Sequence, residues 1–254
     1  ENYEALPTVL RFWLPVGGAM VIAAGFHWLQ PRSRRVGVMH VMERLQYHEG
    51  HLPFKNLLTQ FFGGAIALVC GHSVGREAPS LHLGAAAASL VGQGLKLPNN
   101  SIRILVACGS AAAIAASFNT PLAGVIFAME VVMMEYTIAG FTPVILAAVS
   151  ATIMTRAIFG SGSGFFVPQV DLASMWDLLY TLLMGIFLGA FSAYFVAAVR
   201  YFGRLSVNVP SSAAIILAGL LVGVVSIKVP AVMGLGYDTV NAAILGDIAI
   251  HSIV

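Results

Sequence analysis

Arg76 and Glu77 are adjacent charges set between two long uncharged runs, residues 56–75 and 78–95. They stand in Gly75-Arg76-Glu77-Ala78-Pro79, directly before a proline suited to open a helix. Ionisable groups within an apolar span are costly to place there and are functional by default. A helix start carries partial positive charge and unpartnered N–H groups, so it attracts an anion. A carboxylate at that mouth occupies the anion's place while ionised and swings away once protonated. Such a residue is a gate and a proton carrier at once. The same two residues also fit a buried Arg–Glu pair that only secures the helix start, and position alone leaves both readings open.

Other chemistry-bearing residues read more plainly. His40, His48 and His51 crowd one loop with Glu43 and Glu49 between them, but without a recognised ligand set. They read as an interfacial polar loop, and no metal or cofactor is expected. His72 and His82 flank Glu77 and offer a proton relay; hydrogen-bonded packing within a helix bundle is the first reading. Glu130 and Glu135 read as solvated or structurally paired at one helix end, and Met129, Met133 and Met134 as packing or lipid-facing. Arg156 follows a twenty-residue apolar span and is expected to snorkel to the interface. Cys70 and Cys108 both lie in apolar runs, where packing outweighs a disulfide. No nucleophile–base pair or metal set suggests an enzyme.

The elements that must position these residues are membrane helices. Charged residues make up 9% of the 254, against roughly 25% in soluble domains, and hydrophobic residues make up 58%. A soluble globule of this size cannot hide that much apolar surface. Seven stretches lack Asp, Glu, Lys and Arg for at least 18 residues: 12–31, 56–75, 78–95, 104–129, 136–155, 178–199 and 205–227. About 18 such residues suffice for a spanning helix. The alternating ten-residue segments of an outer-membrane barrel are not visible. The net charge of +2 gives no sign of nucleic-acid binding.

Along the chain, a first span at 9–29 leads to a loop over 32–55 with five Lys and Arg, the mark of a cytoplasmic side. Within that loop a short helix is expected over 36–45. Runs at 57–71 and 79–95 pass up and down, which returns Lys96 and Arg103 to the side of Arg32. The uncharged run from 104 breaks at Asn119-Thr120-Pro121 into helices over 104–117 and 121–134, with Asn119 expected as N-cap. Broken helices within a membrane are tolerated where they line a cavity or are buried in protein. A turn at 160–164, long spans at 175–202 and 211–227, and a loop at 234–238 without evident chemistry complete the reading. The first residue is not Met, no signal peptide is visible and the chain stops in an apolar run, so a piece of a longer protein is expected.

The motif Gly75-Arg76-Glu77-Ala78-Pro79 resembles the G-R-E-G-P signature of CLC chloride channels and proton-coupled anion transporters, with Ala78 where glycine is usual. Residues 109–130 resemble that family's second strong pattern, small residues running into Phe118-Asn119-Thr120-Pro121-Leu122-Ala123-Gly124 and ending at Glu130. The resemblance implies an all-α polytopic membrane protein, a CLC-type bundle of tilted and broken helices. It covers most of one inverted repeat and the start of the second. Residues 1–55 would be the first helix and basic loop, 56–160 the core of the anion path, and 161–254 the following helices.

The resemblance makes Glu77 the gating glutamate and places Gly75, Arg76 and Ala78 along the upper anion path. A further family motif, G-S-G-I-P, falls on Arg35-Val36-Gly37-Val38-Met39. It implies anion contacts at Val36 and Gly37, with Val36 replacing a serine hydroxyl. Val131 stands where proton-coupled members carry an internal glutamate. Further anion-path motifs are expected beyond Val254. The implied function is transport of small monovalent anions, with chloride foremost, across a bacterial cell membrane. Protons would be involved through Glu77, and the assembly would be a homodimer touching through helices within 121–155. Alternatives are a passive channel, an intramembrane enzyme, or a fragment that does not conduct.

Overall fold

The computed structural model describes residues 3–160, 175–206 and 209–246. Its helices are α1 (Thr8–Trp28), α2 (Val38–Tyr47), α3 (Phe54–Val69), α4 (Glu77–Gly94) and α5 (Asn99–Phe118). They continue as α6 (Pro121–Phe127), α7 (Ile138–Phe159), α8 (Met175–Ser206), α9 (Ser211–Lys228) and α10 (Tyr237–Leu245). No strand occurs among the described residues. Among the described residues five helices, α1, α5, α7, α8 and α9, are long and apolar enough to cross a membrane. A lipid environment permits little else, because each backbone N–H and C=O must be satisfied within its own segment. The chain is an integral, multi-pass membrane protein.

Hydrophobicity gives no net drive for one helix to leave lipid for another, so close packing must hold the bundle. The sequence supplies it with small residues. Where α4 crosses α5, a Cβ added at Gly84 would collide with the Gly109 carbonyl oxygen, and one added at Gly109 would collide with that of Gly84. Around this crossing Leu81, Ala85, Ala86 and Val106 are fully buried together with Val41 of α2 and Leu52 of the following loop. A second cluster joins α5, α6 and α7 through Ala111, Ala115, Val125, Met129, Val144 and Ala148. Gly219 and Gly223 let α9 approach the Pro15 and Phe12 carbonyl oxygens of α1, each 2.8 Å from an added Cβ. Both cysteines are free, as expected, and Cys70 packs over Gly18. The most apolar stretch of α8 has no buried residue at all.

The basic loop returns to the far end of α4. Ser89 Oγ donates to the Gly50 carbonyl (2.6 Å) and accepts from the Leu52 N–H (2.9 Å), while Gln93 Nε2 donates to the Leu52 carbonyl. Gly50 abuts the Arg103 backbone. Residues 50–52, Lys96 and Arg103 therefore share one end of the bundle, and Glu77 begins the opposite end of α4.

Three local expectations change. Helix α4 starts at Glu77, two residues before Pro79, because the third helical position lies within the first turn, where a missing N–H costs nothing. Asn119 is not an N-cap: it adopts the left-handed conformation (φ 58°) that ends α5, and Thr120 precedes α6. The 121–134 helix is α6 for seven residues and then a π-helical turn, Ala128–Met133. Arg156, exposed near the end of α7, donates from Nε to Asn119 Oδ1 at 2.6 Å. Of the expected turn at 160–164, Gly160 ends α7 with φ 87°, and the rest lies outside the described residues.

Candidate functional site

Glu77 is the first residue of α4, and no side chain caps that helix start. Its carboxylate therefore lies in the first turn, where N–H groups are unpartnered and the field favours negative charge. One carboxylate oxygen, Oε1, accepts a hydrogen bond from the Tyr237 hydroxyl at 2.9 Å. The other, Oε2, folds back over Gly75, where any added Cβ would collide with it. Glycine at 75 is thus a steric requirement of this carboxylate position. Ser80 braces the turn: its N–H donates to the Arg76 carbonyl and its hydroxyl to the Glu77 carbonyl.

Arg76 does not neutralise Glu77. Ion pairs form instead between Arg35 and Glu43 and between Arg103 and Glu135, the second a structural partner for Glu135. Arg76 Nη2 donates instead to the Ser117 carbonyl at 3.2 Å. Its guanidinium carbon lies 4.9 Å from the centre of the Tyr237 ring, a cation–π contact, and its Nε is buried without a hydrogen-bond partner. The same arginine lines a cavity of about 480 Å³ with Ser117, Asn119 and Thr155. A tight Arg–Glu pair, one of the two readings left open by position, is therefore not what the fold builds.

Tyr237 is the residue of this site that the sequence reading missed, within a stretch expected to be a featureless loop. Gly234 and Gly236 take positive φ (79° and 73°) and turn the chain so that Tyr237 opens α10. The Gly234 N–H donates to the Gly71 carbonyl at 3.3 Å, and Met233 packs on Gly71, which fixes the loop beside the Glu77 segment. Burial, and then the Glu77 carboxylate, push the Tyr237 hydroxyl above the usual tyrosine range, so it stays protonated and donates. The only local signal was a Gly-x-Gly ahead of a hydroxyl-bearing aromatic.

The remaining expected residues fall into two places. Gly75, Arg76, Glu77 and Ala78 form one start, with Ala78 exposed. Val36 and Gly37 precede α2, where Gly37 takes φ 85° and no side chain caps the helix. Asn56 holds that loop by donating to the Arg32 and Arg35 carbonyls at 3.0 and 2.7 Å. The two helices are linked through histidine: His40 Nδ1 of α2 meets His82 Nε2 of α4 at 3.1 Å, both rings buried. His72 packs instead against Gly18 of α1 and Gly219 of α9. The two histidines flanking Glu77 in sequence thus serve different interfaces. Val131 lies half-buried in the π-helical turn, and Glu130 is exposed.

Residues 18–254 match the family described as voltage gated chloride channel. A ClcB-like chloride channel protein of Ralstonia nicotianae is 33% identical over 248 residues, covering 94% of this chain and 57% of the relative. The H(+)/Cl(-) exchange transporter ClcA of Vibrio cholerae serotype O1 is 36% identical over 142 residues, covering 55% of this chain and 30% of the relative. Among solved structures, a slow cyanobacterial Cl-/H+ antiporter superposes with TM-score 0.79 at 22% identity, over 92% of this chain and 56% of that one. A CLC-type fluoride/proton antiporter gives TM-score 0.81 at 24% identity, over 95% and 61%. The chain spans little more than half the length of the Ralstonia relative, and the structural likeness is one of fold. On the family match and these relatives together, the chain belongs to the voltage-gated chloride channel (CLC) family.

Proposed function

We propose that this chain forms part of a path for small monovalent anions, chloride foremost, and that Glu77 gates it. The observation that carries the reading is a carboxylate at the uncapped start of α4, held by Tyr237 rather than by the adjacent Arg76. An ionised Glu77 competes with the anion for the amides of that turn, whereas a protonated one does not. Arg76, with an Nε unpartnered beside a cavity, supplies positive charge along the approach. At the other helix start, Val36 offers no hydroxyl, so the backbone amides that begin α2 are the remaining donors to an anion there. The relatives named as chloride channels and H(+)/Cl(-) exchange transporters support this class of cargo.

Acidification therefore opens the path. In liposomes holding the intact protein, anion efflux should rise as pH falls, and Glu77→Gln should be fast at every pH. A Glu77→Gln protein that is well folded and keeps the wild-type pH profile would remove Glu77 from the gate. A passive channel is the second reading, favoured by Val131 in place of an internal carboxylate. Reversal potentials measured with and without a pH gradient separate the two, since a passive channel ignores the proton gradient. We read the membrane as a bacterial cell membrane, a reading that the bacterial relatives support. The apolar exposed face of α7 that includes Leu146, Val149 and Ile153 suits contact with a second copy.

A further inference from the structure

We infer that Tyr237 is the latch of this gate, holding the ionised Glu77 carboxylate in place and so setting the acidity at which the path opens. The inference rests on the gating role proposed for Glu77. The contact joins residues 160 positions apart, so it is a product of tertiary structure rather than of the motif. A phenol O–H to a carboxylate is a charge-assisted bond, stronger for the anion than for the neutral acid. The ring contributes separately. By receiving Arg76 on its face it helps keep the guanidinium off Glu77, which leaves the carboxylate dependent on the hydroxyl. The latch is also mounted firmly. The Gly234–Gly71 hydrogen bond and the Met233 contact tie its loop to the chain just ahead of the motif, and Tyr3 packs over the same Gly71 while donating to the Leu68 carbonyl at 2.7 Å.

The groups that bear on the charge of Glu77 can be named from each neighbouring element. Arg76 precedes it on the same helix, Tyr237 reaches it from α10 with Asp238 next in the chain, and Arg156 of α7 lies across the Asn119 turn. His72 faces α1 and α9, and His82 faces α2. On α3 and α5 the charged residues Lys55 and Arg103 sit at the opposite ends, and the thiols Cys70 and Cys108 complete the titratable set. Tyr237 alone among them hydrogen-bonds the carboxylate within the described residues.

The test uses Tyr237→Phe, which removes the hydroxyl and keeps the ring under Arg76. Intact wild type, Tyr237→Phe, Glu77→Gln and the double variant are reconstituted, and chloride efflux is recorded across a pH series. Loss of the donor favours the neutral acid, so the half-activation pH of Tyr237→Phe should move upward by about one unit. The double variant should match Glu77→Gln. If Glu77→Gln is flat with pH while Tyr237→Phe keeps the wild-type midpoint or moves it downward, the latch is wrong and the gate stands. If Glu77→Gln keeps the wild-type profile, or the wild type shows no pH dependence, the gate reading falls and the latch falls with it. A Tyr237→Phe shift that persists in the Glu77→Gln background would assign the effect to another group and overturn the latch.

Discussion

Helix α4 carries two ionisable side chains five residues apart, and the fold treats them in opposite ways. His82 is fully buried, five residues and so about 7.5 Å along the axis from the helix start, and is packed against α2 with one ring nitrogen against His40. Glu77 is half-exposed at the uncapped start, beside a cavity lined by Arg76, and its side-chain partner Tyr237 comes from the start of α10. A group that must move needs room and few ties, whereas a group that specifies packing needs neither. On the proposed reading, structure lies in the middle of α4 and gating at its end, and each half of that statement can be broken separately.

The largest effect is expected at the crossing beside His82. Gly84→Leu drives a side chain into the Gly109 carbonyl, where backbone rather than a flexible tip must give way. A destabilisation of about 3 kcal/mol or more is expected, with loss of the monodisperse peak in size-exclusion chromatography. A variant that elutes and transports normally would show that the two helices can separate without harm. His82→Ala is next. It opens a cavity and strands His40 Nδ1, at a cost of about 2–4 kcal/mol, read as a lowered melting temperature. The protein that remains folded should keep the wild-type dependence of flux on pH; a flattened profile would make the histidine pair part of the proton route and erase the contrast. The smallest effect on stability belongs to Glu77→Gln. With no Arg76 pair to break, the variant should stay within about 1 kcal/mol of wild type in thermal unfolding while its pH response disappears. A loss of several kcal/mol would return Glu77 to a structural role.

The sequence made some of this legible and hid the rest for physical reasons. Spans were visible because charge is excluded from lipid-facing helices, and the Gly75–Pro79 motif because two charges there have no bland neighbours. The start of α4 was misplaced by two residues because proline is tolerated anywhere in a first turn. Asn119 was assigned to the wrong helix because asparagine both caps helix starts and accepts left-handed backbone, and the local sequence permits either. Tyr237 and the His40–His82 pair were out of reach, since each contact joins elements whose neighbourhood depends on the whole bundle.

The central claim is that the Glu77 carboxylate and the transported anion compete for one place at the start of α4. Anomalous scattering from crystals of the intact protein soaked in bromide tests it most directly. The account predicts bromide at the first-turn amides of α4 in Glu77→Gln, and in wild type only at acid pH. Bromide at that turn in wild type at neutral pH, beside an ionised Glu77, would contradict it, as would a well-ordered Glu77→Gln structure with no bromide there.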